Sequence, residues 1–172
     1  PSFSPRAMSE IFEFHLNGAW LLLSDEWFDI SDELEGQEGE EGEEGEGPML
    51  LQKEGGTGVL SVAVVPWREP IGMEELRRLL REMCRKAGKG MAFDQFEREE
   101  PTMLAAASFE DEEMFYRVWY CSDGETVALL IYTSEGEPDR DEVADCQQIA
   151  TDLWFGEDED GAEGEGGAAE EK

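Results

Sequence analysis

The sequence predicts an α+β domain in which an antiparallel sheet of about six strands carries two packed helices. Short apolar or alternating runs, separated by turn residues, occur in both halves of the chain. One amphipathic segment falls between these groups of runs, and a second follows the last run. The chain has 172 residues and 40% hydrophobic content, which is enough apolar material for one core. We therefore expect a single domain.

The first predicted element is a β-hairpin. Ile11–Leu16 alternates apolar and polar side chains, an Asn-Gly pair follows, and Ala19–Leu23 is wholly apolar. Asn-Gly between two such runs indicates a hairpin, because both central residues of a type I′ turn need a positive φ. The chain then predicts a turn that presents two aromatic side chains, Trp27 and Phe28.

Two acidic tracts interrupt the apolar patterning. Residues 31–47 contain nine acidic side chains and no basic one, and residues 156–172 contain eight acidic side chains and one lysine. Glycines and mutually repelling carboxylates leave almost nothing apolar to bury. We expect a disordered insertion inside a domain that spans residues 11–155, and a disordered tail after it. Residues 1–10 are expected to be disordered, or to be partly non-native residues ahead of a natural start at Met8.

Five further strands follow from apolar or alternating runs. They are predicted at Met49–Gln52, Gly58–Val65, Met103–Phe109, Glu113–Cys121 and Thr126–Thr133. In the fourth of these, alternation places Phe115, Arg117 and Trp119 on one face and Val118 and Tyr120 on the other. A turn of residues 122–125 joins the last two strands.

Two helices complete the predicted order. Met73–Ala87 repeats its apolar side chains at steps of three and four residues, with glutamates in the first turn and basic residues in the last. The spacing predicts an amphipathic helix, and the charges at its two ends interact favourably with the helix dipole. A second helix is predicted from Asp139 to Phe155, because Asp139 and Glu142 have the spacing of a capping box.

Five stretches carry a resemblance to a known family. They are SDEWF (24–28), VAVVP (62–66), MEELRRLLREM (73–83), ETVALLIYTS (125–134) and IATDLWF (149–155). With the order of elements over residues 11–155, they resemble the PsbP-like superfamily, which includes Ran-binding Mog-type and bacterial DcrB-like proteins. The resemblance implies an α/β/α sandwich. It also implies a non-catalytic role, since members bind a small GTPase, photosystem subunits or hydrophobic effector segments.

The sequence contains no recognisable catalytic or metal-binding motif. His15 is the single histidine, and we expect an ordinary strand residue rather than half of a Cys–His nucleophile pair. Cys84, Cys121 and Cys146 are widely spaced in apolar patterns, which indicates buried thiols and a reducing cytoplasm. Residues 158–161 are only a fragment of a calcium loop. No enzyme activity, cofactor or metal is predicted.

The charge excludes some partners and favours others. The formal net charge is −31, with 44 acidic residues against 13 basic ones. Such a surface repels nucleic-acid backbones and anionic membranes, and it attracts basic proteins. The alternative interpretation is that the acidity only maintains solubility.

The first helix carries a concentration of basic residues. They are Arg77, Arg78, Arg81, Arg85, Lys86 and Lys89, and three of the arginines fall at four-residue steps opposite the leucines. This basic ridge has three interpretations: a solvated helix face, a docking site for one of the protein's own acidic tracts, or a site for an acidic partner.

Aromatic residues at the ends of elements form a second candidate surface. Trp27, Phe28 and Trp67 are predicted to stay partly exposed as interface anchors. The lead functional hypothesis is a cytoplasmic adaptor or chaperone-like protein whose acidic surface engages a basic protein. The alternatives are an immunity protein or inhibitor of a basic toxin, and an enzyme with an unrecognised carboxylate-based site.

Overall fold

The computed structural model describes residues 10–31, 48–67, 69–87, 92–111 and 113–156. The acidic tracts, apart from Ser31 and Gly156, and residues 1–9 lie outside these ranges. The described elements, in chain order, are β1 (Ile11–Leu16), β2 (Ala19–Ser24), β3 (Trp27–Asp29), β4 (Met49–Lys53), β5 (Val59–Pro66), α1 (Met73–Ala87), β6 (Phe93–Arg98), β7 (Met103–Glu110), β8 (Met114–Ser122), β9 (Thr126–Glu135), α2 (Arg140–Asp152) and β10 (Trp154–Phe155).

The strands form two antiparallel sheets. One has seven strands in the order β3-β4-β5-β9-β8-β7-β6, and the other has three in the order β1-β2-β10. The α+β class is confirmed, but the described part of the chain has ten strands rather than about six. The missed strands are β3, β6 and β10. β3 and β10 have three and two residues, and β6 is largely exposed and polar, so none of them shows the apolar periodicity that predicts a strand.

The predicted N-terminal hairpin is confirmed. Asn17 and Gly18 have φ values of 49° and 100°, as a turn of two left-handed residues requires. Leu21 and Leu23 of β2 are buried in the core. Their cross-strand neighbours on the edge strand β1 are Phe14 and Phe12, which are 40% and 44% exposed.

The second helix ends earlier than the sequence predicts. It stops at Asp152, and Leu153 is extended. The next two residues form β10, in which Trp154 lies opposite Trp20 of β2 with ring centroids 5.8 Å apart. Strand pairing and ring stacking at this position therefore replace the last helical turn predicted to reach Phe155.

The seven-stranded sheet separates two apolar clusters. α2 and β2 pack on one face, against Leu60, Trp119 and Leu130 among others. α1 packs on the other face, where Leu76, Leu80 and Cys84 are buried against β7 and β8. The alternation predicted for β8 is confirmed, with Phe115 and Trp119 in the first cluster and Val118 and Tyr120 in the second. Neither helix of the described chain has the length and apolar character to cross a bilayer.

Candidate binding surfaces

The basic ridge lies on the outer side of α1. Arg78, Arg81, Arg85 and Lys86 are exposed, and none of them forms an ion pair with another described residue. Arg77 differs, because its Nε donates to Glu97 Oε2 of β6 at 3.0 Å. A carboxylate of the folded sheet thus occupies part of the ridge. Lys89 and the acidic tracts lie outside the described residues, so docking of a tract remains a prediction.

The three predicted aromatic anchors divide into one buried and two exposed residues. Trp27 is 6% exposed and belongs to the core, so its prediction as an anchor is wrong. The reason is that Trp27 starts β3, and its side chain points toward the α2 side of the sheet. Phe28, the next residue along the strand, points to the opposite side and is 47% exposed. Trp67, which follows the end of β5, is 37% exposed.

No described helix packs on one half of the sheet face on the α1 side. α1 covers β7, β8 and Val127 of β9. The other residues that β3, β4, β5 and β9 turn to this face are half-buried or exposed, with Leu129 and Ile131 at the margin of the α1 cluster. Cross-strand pairing places ten of them on this face, which we call the open half-face: Phe28, Leu50, Gln52, Val59, Ser61, Ala63, Val65, Leu129, Ile131 and Thr133. None of the ten carries a charge.

Carboxylates border this uncharged surface at one end. Glu54, Glu113, Glu135 and Glu137 are all exposed there. They share that end because Val59 of β5 pairs with β9 near its last residues, which in turn pair with the start of β8. We call these four residues the acidic rim. An apolar surface beside a row of carboxylates suits a partner that combines apolar and basic side chains.

A cleft lies at the other edge of the sheet, between β6 and α2 on the α2 side. Its volume is about 710 Å³. Its apolar lining consists of Phe93, Phe96, Phe115, Pro138, Val143 and Ala144, and its polar lining consists of Asp94, Gln95, Ser108, Arg117, Arg140 and Gln147. The sequence did not predict this cleft.

Arg117 forms the polar floor of the cleft and is 5% exposed. Its Nη1 donates to Asp94 O at 2.8 Å and to Ser108 Oγ at 2.9 Å, and Nη2 lies 3.4 Å from Gln147 Oε1. The guanidinium also lies over the Trp119 ring, 5.5 Å from its centroid. Burial lowers the pKa of Arg117, and the charge of Asp94 opposes that shift. Arg117 is thus a desolvated cation, and within the described ranges Asp94 is the carboxylate that pairs with it.

His15 is hydrogen-bonded and the three cysteines are buried. His15 Nε2 lies 2.9 Å from Gly156 O, and its ring contacts Trp20 at 4.6 Å, which fits an ordinary strand residue. All three cysteines are buried. Burial raises the pKa of the Cys84 thiol, and it raises the pKa of the Cys121 thiol to about 12, which disfavours a thiolate nucleophile. Among the described residues, no group of three or more His, Cys, Asp or Glu side chains could hold a metal ion.

A buried carboxylate, Glu142, serves the fold rather than the predicted capping box. Asp139 caps α2 as predicted, by accepting from the backbone N–H groups of residues 141 and 142. Glu142, however, is 2% exposed and turns inward. It accepts from Tyr132 Oη at 2.6 Å, Thr57 N at 2.8 Å and Gly58 N at 3.1 Å. Burial, followed by the hydrogen bond to Glu142, raises the pKa of Tyr132.

No family model matches the chain, and no curated protein matches it. The PsbP-like resemblance therefore remains a prediction from the sequence pattern.

Proposed function

We propose that the protein is a non-catalytic adaptor or chaperone-like protein that binds a basic protein in the cytoplasm. The observation that carries this proposal is the open half-face, an uncharged sheet surface on a chain of net charge −31. Seven of its ten residues are apolar, and contiguous apolar patches larger than roughly a few hundred Å² commonly mark an interface. The PsbP-like resemblance points to the same class of role.

Two kinds of contact would hold the partner. Phe28, at one border of the open half-face, supplies an aromatic anchor of the kind that dominates interface energetics, and Trp67 supplies another near the end of β5. The acidic rim adds electrostatic attraction to lysine and arginine side chains. This attraction accelerates association and weakens as salt is added.

The test is affinity capture from the native host with matched variants. We expect the wild-type chain to retain a protein of net positive charge at low salt, and Phe28→Ala to lose most of it. Phe12→Ala is the control, because Phe12 is exposed to a similar extent, 44% against 47%, on the other sheet. Equal capture by wild type and Phe28→Ala, or an acidic partner whose capture does not change with salt, would contradict the proposal.

The two alternatives differ in what they require of the partner or of the site. An inhibitor of a basic toxin would abolish the activity of its captured partner, whereas an adaptor or chaperone would leave it active. An enzyme would need carboxylates that converge in a pocket. The cleft that the structure describes contains one, Asp94, and no second carboxylate lines it.

A further inference from the structure

We propose that the cleft between β6 and α2 binds a single carboxylate group attached to an apolar or aromatic body. This site is separate from the open half-face, because Phe115 and Arg117 point to the α2 side of the sheet whereas the open half-face is on the α1 side. The proposal therefore stands or fails independently of the proposed protein partner. A cleft of about 710 Å³ is within the range of pockets that enclose small ligands.

The charges of the cleft select an anion. Arg117 and Arg140 line it, and Asp94 is the one carboxylate among the described lining residues, so this lining carries one more positive than negative charge on a strongly acidic protein. The Asp94 carboxylate is a loose partner, since its Oδ2 lies 3.7 Å from Arg117 Nη1 and its side chain is 75% exposed. A ligand carboxylate can displace it and approach the guanidinium. Because both Nη1 hydrogens are donated to Asp94 O and Ser108 Oγ, the ligand would accept from Nη2, which lies 3.4 Å from Gln147 Oε1.

The lining selects the rest of the ligand. Phe93 and Phe96 stand on the exposed strand β6 at 43% and 38% exposure, and Phe115 faces Phe93 with ring centroids 6.4 Å apart. An aromatic or aliphatic body would cover these rings. A phosphate is less suitable, because Asp139 already accepts from the N–H groups of Asp141 and Glu142 in the first turn of α2, and those groups are among the ones that would favour a doubly charged anion there.

Trp119 provides a direct reporter of ligand binding. Its indole Nε1 donates to Gln147 Oε1 at 2.9 Å, and its ring lies beneath Arg117. We would titrate the ¹⁵N-labelled full chain with 3-phenylpropionate and follow the Trp119 indole cross-peak. The neutral amide 3-phenylpropanamide is the ligand control. We expect the acid to shift this peak with a saturable curve and the amide to leave it nearly unchanged.

Substitutions in the cleft should change its affinity for the acid in opposite directions. Asp94→Asn removes the competing carboxylate and should tighten binding of the acid about two- to fivefold. Asparagine also tolerates the positive φ of 55° at this position. Arg140→Gln should weaken binding by a similar factor, and Arg117→Gln by tenfold or more. Glu125→Gln removes one negative charge, as Asp94→Asn does, but in the β8–β9 turn at the other end of the sheet, and it should leave binding of the acid unchanged.

Two further ligands separate the possible sources of the carboxylate. A short peptide that ends in phenylalanine is titrated with a free C-terminus and with an amidated one. Tighter binding of the free-acid peptide than of 3-phenylpropionate assigns the site to protein C-termini, and the reverse assigns it to small acids. No shift with any acid at 10 mM, equal shifts with the acid and amide, or weaker binding by Asp94→Asn would each overturn the proposal.

Discussion

Loss of the Glu142 carboxylate should destabilise the fold more than any nearby change of charge. One oxygen, Oε1, accepts from Tyr132 Oη and Gly58 N, and the other accepts from Thr57 N. Glutamine retains a single acceptor oxygen and sets its NH₂ group against at least one of these donors. A hydrogen bond to a charged group contributes about 1.5–3 kcal/mol, so Glu142→Gln should lower the free energy of unfolding by about 2–3 kcal/mol.

Removal of the whole Glu142 side chain should lower the free energy of unfolding further. Glu142→Ala leaves three donors without an acceptor, together with a void, and we expect a loss of about 4 kcal/mol. Tyr132→Phe alone should cost about 1–2 kcal/mol. The double variant Tyr132→Phe/Glu142→Gln should lose about 1 kcal/mol less than the sum of the single variants, because the two side chains share one hydrogen bond.

Urea unfolding followed by tryptophan fluorescence measures these differences. Asp141→Asn is the control, because Asp141 is the preceding residue in the same helical turn, is exposed and loses the same charge. It should change stability by less than about 1 kcal/mol. If Glu142→Gln changes the free energy of unfolding by no more than about 0.5 kcal/mol, the usual range for surface substitutions, the buried carboxylate does not tie α2 to the loop between β4 and β5.

Three other predictions concern the thiols and the ridge. Burial raises the pKa of Cys121 from 9.0 to about 12, so the unfolded state releases a proton that the folded state keeps. The contribution of Cys121 to the free energy of unfolding should be fully present below about pH 9 and be lost as the pH rises toward 12. Cys121→Ala should reduce the slope of the free energy of unfolding against pH in this range by up to about 1.4 kcal/mol per pH unit. An unchanged slope would contradict this prediction. Cys84, Cys121 and Cys146 should resist a thiol reagent in the native chain and react in urea, so rapid native labelling of Cys121 or Cys146 would refute their burial. Because the pair of Arg77 and Glu97 is exposed by about two-fifths on each side, its double-mutant coupling energy should stay below about 1 kcal/mol, and a larger value would show that the pair anchors β6.

Local sequence signals predicted the hairpin, α1 and the two faces of β8. Each of these depends on neighbours within a few residues: an Asn-Gly turn, a leucine stripe, or an alternation. The end of α2 could not be predicted in this way. Residues 149–155 continue an apolar helical pattern, but Trp154 pairs with Trp20, more than 130 positions earlier in the chain. Pairing with a distant strand therefore ends α2 at a position that the local pattern does not indicate.

The candidate surfaces also depend on contacts between distant parts of the chain. The exposure of Phe28 and the burial of Trp27 depend on which side of β3 faces the core, and β3 itself was not predicted. The cleft gathers Asp94, Arg117 and Gln147 from β6, β8 and α2, so no sequence window contains it. One signal was present: Arg117 shares a strand face with Phe115 and Trp119. A cation within an apolar face is costly unless polar groups surround it, and that cost indicates a polar site.

The central claim is that the open half-face is the surface that meets a basic partner. Photocrosslinking in the native host tests it most directly, with a photoreactive residue placed at Val65 on this face or at Ile11 on β1. The side chains at these positions are 45% and 59% exposed. We predict an adduct with a protein of net positive charge from position 65 and none from position 11. Adducts of equal yield from both positions would contradict the account. So would a result in which position 65 crosslinks to a second copy of this chain and to no other protein.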